Sequence, residues 1–305
     1  MDSVSVEDAP VDSAATGQVE PSLDRYRRLR VGIDVVAFLL VPIMLLGVFS
    51  FPEATRRAAV LSYRDPTITT AFTAHFVHFT GSHLIGNMLA FLLLGTVAYG
   101  LSVVADHRRL FWTATITFLM TFPFALSVLN LIFPRDAIGY GFSGVNMAFF
   151  GYNAVVLPLA IDDRTGLNAS RYTPAVFLLS VGYIGLIALP MSTTSALLAG
   201  GAIVAALPYG RHVDGYTARC ALRAAKRLLN QPGVGELVAV AVVVFVVYPI
   251  VGFPAQSATG LQINLYVHFL GYALAFLVVH VSLLLDATVL PWRTASELTT
   301  REPAR

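Results

Sequence analysis

The chain has 305 residues, of which 56% are hydrophobic and only 12% charged, with a formal net charge of +2. Soluble domains carry about a quarter charged residues, so the polar coat that would keep this surface in water is missing and an integral membrane protein is expected. The weak, scattered positive charge excludes a nucleic-acid binder, and the single cysteine, Cys220, excludes a disulfide framework.

Residues 1–24 are polar and acidic, with Asp2, Glu7, Asp8, Asp12, Glu20 and Asp24, and lack the basic start and apolar run of a signal peptide. They read as a disordered cytoplasmic tail, 1–30, that ends in a basic stop of Arg25, Arg27, Arg28 and Arg30. A membrane domain is expected over 31–290, followed by a short polar tail, 291–305. A helix crosses the hydrocarbon layer in about 20 apolar residues. Such runs occur near 31–50, 83–105, 110–131, 143–161, 236–253 and 263–285. The stretch 174–208 is long enough for two short helices, and Pro190-Met191-Ser192-Thr193-Thr194 disfavours helix continuation in its middle.

Charge distribution decides how to count it. With the N-terminal arginines in the cytoplasm and 174–208 split, eight spans put sixteen of the 20 basic residues inside. Only Arg56, Arg57, Arg64 and Arg135 stay outside. A single helix over 174–208 would instead move the five basic residues of 209–235 to the outer face. Eight spans, both termini cytoplasmic and a basic cytoplasmic loop over 209–235 are therefore expected. That loop could also lie on anionic headgroups. The second, fourth and eighth spans then begin at the same outer face.

Each of those three starts carries unusual polar residues. The second opens Thr80-Gly81-Ser82-His83-Leu84-Ile85-Gly86-Asn87, with His83 and Asn87 one turn apart on one face. The fourth opens Gly139-Tyr140-Gly141-Phe142-Ser143-Gly144, a flexible loop that delivers Ser143 to a helix start. The eighth carries His268, followed by Gly271 and Ala275, whose small size permits close helix approach. Polar side chains inside a bilayer are functional candidates by default. A serine hydroxyl becomes a nucleophile when a base takes its proton, and histidine suits that role at neutral pH. His83 and Asn87 can donate to a developing oxyanion, and a helix N-terminus at Ser143 adds backbone donors. Asp286 lies roughly 27 Å beyond His268 along a helix, and Asp136 in an outer loop has no spacing argument, so a Ser-His dyad is the simpler reading.

Taken singly, these residues have plainer explanations: Ser143 as a helix cap, His83-Asn87 as interhelical glue, His268 as a core histidine. His75, His78 and His83 lack the further ligands of a zinc site, and His75 and His78 are expected to stabilise the loop before the second span.

Together, His83-x-x-x-Asn87, Gly141-Phe142-Ser143-Gly144 and His268-x-x-Gly271-x-x-x-Ala275, in that order, resemble the rhomboid intramembrane serine proteases. Phe72-Thr73 and His78-Phe79 extend the resemblance upstream, and the motifs frame about 70–285. The resemblance implies an all-α polytopic membrane protein, a rhomboid-like helical bundle whose six-helix core carries an inserted hairpin at 174–208. It implies Ser143 as nucleophile, His268 as general base, and His83, Asn87 and the Ser143 amide as oxyanion hole, supported by Gly141, Gly144, Gly271 and Ala275. It further implies cleavage of single-span membrane proteins near their outer ends, in the lipid bilayer, with neither metal nor cofactor. Two departures stand out. Thr69-Thr70 occupies the place of the Trp-Arg pair common in the family's first outer loop, and Met147 replaces the aromatic that packs on the histidine, where a thioether can partly stand in. Alternatives are a catalytically silent rhomboid-like escort protein and, less in keeping with the hydropathy pattern, a transporter with broken helices. The near-exclusive use of Arg over Lys hints at a GC-rich genome, and the expected location is a prokaryotic plasma membrane.

Overall fold

The computed structural model describes residues 19–133, 135–210, 218–254 and 264–289. The chain divides into two compact units between Gly47 and Val48, inside a helix. Helix α1 (Val19–Ser50) supplies the described part of the first unit as far as Gly47. It starts within the segment expected to be a disordered tail. Glu20, Leu23, Arg25 and Arg27 are good helix formers, and Pro21 falls in the first turn, where its missing N–H loses no bond. Residues 1–18 and the C-terminal tail 291–305 lie outside the described residues. Leu29–Ser50 is long and apolar enough to cross a membrane, and Leu29, Val36, Leu40 and Ile43 leave most of their surface outward.

The second unit opens with α2 (Glu53–Ala58), the two-residue strand β1 (Leu61–Ser62), α3 (Ile68–Thr73) and a 3₁₀ turn at Ala74–Phe76. Thr67 caps α3 reciprocally with Thr70. Helix α4 (Gly81–Val104) follows, capped by Thr80, whose Oγ1 accepts from the His83 amide. Helices α5 (Arg108–Met120) and α6 (Phe122–Asn130) form one apolar path bent by 46°. Pro123 explains the break, because it cannot donate back to the preceding turn. Strand β2 (Ile138–Gly139) pairs antiparallel with β1 and leads into α7 (Ser143–Thr165). The expected stretch 174–208 is two helices, α8 (Thr173–Ala188) and α9 (Thr193–Gly210), separated at Leu189–Ser192 beside Pro190. Helices α10 (Ala218–Leu229), α11 (Val234–Gly252) and α12 (Leu265–Val289) complete the chain. Helix α10 lies within the expected basic loop.

This is an all-α polytopic membrane protein. Among the described residues six helices are long and apolar enough to cross a bilayer, or seven if the bent α5–α6 pair counts as one span. Every expected apolar run finds a helix or helix pair, and α9 is a shorter apolar helix over Thr193–Tyr209.

Helix α7 is the axis of the second unit, with 83% of its apolar window buried against 44% for α4 and 28% for α11. Its register against each neighbour can be read from pairs of contacts. Asn146 Nδ2 donates to the Asn87 carbonyl and Asn153 Nδ2 to the Leu94 carbonyl, each at 3.0 Å. Both pairs advance by seven residues, so α4 and α7 run parallel. A Cβ at Gly144 would come within 2.7 Å of Val267 Cγ1, one at Gly271 would overlap the Gly144 carbonyl oxygen, and one at Gly151 would overlap that of Tyr272. Helix α12 is therefore also parallel to α7 and lies directly against its backbone. Helix α11 runs antiparallel to α7, with Gly252 beside Met147 and Phe245 stacked on Phe150. Helices α8 and α9 form an antiparallel hairpin through Gly182 and Gly185, and α8 packs on α12 by stacking Phe177 on Tyr272 and Phe276.

The glycine contacts give a direct stability test. Gly151→Ala should lower the unfolding midpoint in detergent, by an overpacking cost of about 1–3 kcal/mol. Gly200→Ala should not lower it, since nothing lies within 4 Å of a Cβ there and alanine favours the helix.

Candidate active site

Because α4, α7 and α12 are parallel, their N-termini meet at one end of the second unit. Those ends carry His83 and Asn87, Ser143, and His268. The opposite end is held by Arg164, which donates to the Val104 carbonyl, and Arg227, which donates to the Thr165 carbonyl.

The loop before Ser143 is fixed at three successive points. Gly139 pairs with Leu61 across the two-stranded sheet, the Gly141 amide donates to the Ala74 carbonyl at 2.9 Å, and the Phe142 amide donates to His78 Nε2 at 3.4 Å. Gly141 has φ +106°, where an L side chain is strained, and a Cβ there would lie 2.8 Å from His83 Cε1. Glycine is required twice over. The loop lies directly on the His83 ring, which also meets Tyr140 and His78 edge-on. Phe142, fully buried, precedes the helix, so Ser143 is the first residue of α7, half-buried, among amides with no intrahelical acceptor.

His268 is 7% exposed. Its Nδ1 lies 2.7 Å from the Gly252 carbonyl oxygen at the C-terminus of α11. A carbonyl only accepts, so Nδ1 carries the proton and Nε2 is left as the basic nitrogen. The last carbonyls of a helix lack partners within it, which makes Gly252 available. His268 sits between Val267 and Gly271, both against Gly144, so it hangs from the turn of α12 that packs on the first turn of α7. The partner of Nδ1 is this carbonyl rather than a carboxylate: Asp136 instead pairs with Arg64 at 2.7 Å. Ala275 packs against Gly151 further along the same seam.

Asn87 is buried, and its Nδ2 donates to the His83 carbonyl at 3.0 Å. Met147 is 1% exposed, with its Cε against the position a Gly252 Cβ would take. The aromatic neighbour of His268 comes from a different element, Phe253 just after α11, edge-on at 6.1 Å between centroids.

Sequence reasoning missed Phe253, the carbonyl partner at Gly252, and Asn146 beside Asn87. A polar residue three positions after the serine was a visible signal for Asn146. Phe253 and Gly252 had none, because their roles depend on where α11 ends. His75 and His78 do more than steady a loop. His75 Nε2 bonds Ser127 Oγ at 3.0 Å, and Ser127 donates to the Ala71 carbonyl, tying α3 to α6. His78 accepts from the amide next to the serine. Among the described residues, no three His, Cys, Asp or Glu side chains converge as metal ligands.

Comparison with protein-family models, with curated proteins and with solved structures finds no match.

Burial pushes the His75 imidazole down to about 4, and burial together with the nearby His83 pushes His78 down to about 4. Both rings are neutral in the folded protein at pH 7, while in the unfolded chain they take up protons near about 6.5. The stability held above about pH 6.5 should therefore be lost as pH falls towards about 4, at up to about 3 kcal/mol per ring. Unfolding midpoints in detergent across that range should show this slope, and His75→Gln should flatten it.

Proposed function

We propose that the protein is an intramembrane serine endopeptidase of rhomboid type. The observation that carries the reading is the His268 Nδ1 bond to the Gly252 carbonyl, on the turn of α12 packed against the start of α7. That bond selects the tautomer whose Nε2 can accept a proton, and the shared seam brings the base and the Ser143 hydroxyl to one end of two parallel helices. No carboxylate is needed to hold the ring.

In this mechanism His268 Nε2 takes the Ser143 proton as Oγ attacks the scissile carbonyl. The tetrahedral oxyanion is met by the Ser143 amide, Asn87 Nδ2 and His83. His268 returns the proton to the leaving amine, and water deacylates the enzyme by the same route. The substrate is a transmembrane helix of a membrane protein, which unwinds near the cut to expose a carbonyl. Residues that weaken helices should therefore favour cleavage. By the distribution of arginine the Ser143 end faces outward and both termini are cytoplasmic; the preference for Arg over Lys is in keeping with a prokaryotic plasma membrane as host.

A fluorophosphonate probe tests the reading. Ser143 should be labelled in the folded protein, and Ser143→Ala and His268→Gln should lose labelling by at least about a hundredfold. Lack of labelling in folded wild-type protein, under conditions where a control rhomboid reacts, would overturn it.

A further inference from the structure

Two asparagines project from α7 one heptad apart. Asn146 and Asn153 both donate Nδ2 to a backbone carbonyl of α4, at 3.0 Å, and both are almost fully buried. In each the side-chain oxygen has no hydrogen-bond partner. Burying an unpaired amide oxygen costs about 1–3 kcal/mol, so each asparagine is a poor choice for packing alone. They differ in one respect. Asn146 Nδ2 makes a second bond, to Asn87 Oδ1 at 3.0 Å, and Asn153 has no such partner.

That second bond has a chemical consequence. A side-chain amide can turn over by half a rotation and exchange its oxygen for its nitrogen at nearly equal shape. Turned one way, Asn87 offers an N–H to a nascent oxyanion; turned the other, it offers a carbonyl oxygen and repels it. The partners settle which way it stands. The Asn87 backbone carbonyl only accepts, so the atom of Asn146 facing it is Nδ2. The same nitrogen faces the Asn87 side chain, so the atom there is Oδ1. Asn87 Nδ2 then lies on the other side, with one proton on the His83 carbonyl and the second left to donate. A turned amide would lose both bonds.

We propose that Asn146 is a positioning residue, which locks the Asn87 amide with its nitrogen available to the oxyanion, whereas Asn153 only joins α4 to α7. This rests on the reading of the site as a serine protease. The step it serves is attack of Ser143 Oγ on an electrophile, with the displaced charge gathering on the electrophile's oxygen.

The test uses the full chain in detergent and a fluorophosphonate probe, whose reaction also develops charge on an oxygen. The maximal labelling rate and the half-saturating probe concentration are measured separately. Asn146→Val should lower the maximal rate about tenfold, less than the hundredfold or more lost with a whole oxyanion donor, and leave half-saturation within about twofold. Asn153→Val should lower the unfolding midpoint by a similar amount and leave the rate unchanged. In an Asn87→Ala background, Asn146→Val should cost nothing further, since the amide it orients is gone. Asn146→Ser, too short to reach Asn87 Oδ1, carries the same prediction should the valine variant fail to fold. A wild-type rate in either Asn146 variant, an undiminished loss in the Asn87→Ala background, or an equal loss in Asn153→Val would overturn the positioning role while leaving the protease reading intact. Absence of Ser143 labelling in wild-type protein would overturn both.

Discussion

The second unit depends on the absence of side chains along one seam. Gly144, Gly151 and Gly271 let α12 lie directly on the backbone of α7; a methyl added at Gly151 or Gly271 would meet a carbonyl oxygen, and one at Gly144 the Val267 side chain. In lipid, helices gain little from burying apolar surface against one another, so close packing and hydrogen bonds must hold them together. The seam therefore does more than adhere. It fixes how far α12 is advanced along α7, and hence where His268 stands relative to Ser143. Helix α11 is located by the same residues, since Met147 packs on Gly252, whose carbonyl holds His268.

Around that seam, buried polar side chains engage backbone carbonyls, and several bond a second side chain as well. Asn87, Asn146, Asn153, Ser102, Ser127 and His268 all engage a main-chain oxygen. A carbonyl near a helix end or beside a small residue is a fixed acceptor that needs no ionisation. The result is a set of oriented dipoles with little net charge, which suits a low-dielectric interior where an unpaired ion would be expensive. Charged residues keep to the ends: Arg56 and Arg135 at the Ser143 end, Arg164 and Arg227 at the other.

Much of the fold was legible because lipid restricts the choices. Apolar run length located nearly every helix, and Pro190 with its hydroxyl neighbours marked the break between α8 and α9. The bend at Pro123 was equally visible but was read through, because the run 110–131 has the length of one span. The extension of α1 to Val19 was hidden by acidic composition, which resembles disorder even where helix propensity is good. At the site, Ser143, His83, Asn87 and His268 stood out as polar exceptions in apolar surroundings. What could not be read were partners set by tertiary register: Gly252 for His268, Phe253 in place of an aromatic at the position of Met147, and the pairing of Asn146 with Asn87, although Asn146 itself was visible as a polar residue soon after the serine. Those depend on the antiparallel offset of α11 and the parallel offset of α4, which no local pattern encodes.

The smallest element has a consequence for the order of assembly. Leu61 and Gly139 pair across two residues of sheet but stand 78 positions apart in the chain, with α3, α4, α5 and α6 between them. Closing so long a loop carries an entropic cost that two short strands do not repay alone. The pairing forms only once the intervening helices have brought its ends together, and the loop leading to Ser143 takes its shape from that pairing. The turn that leads to Ser143 is thus ordered only after α3 to α6 have packed, late in the entry of the polypeptide into the bilayer.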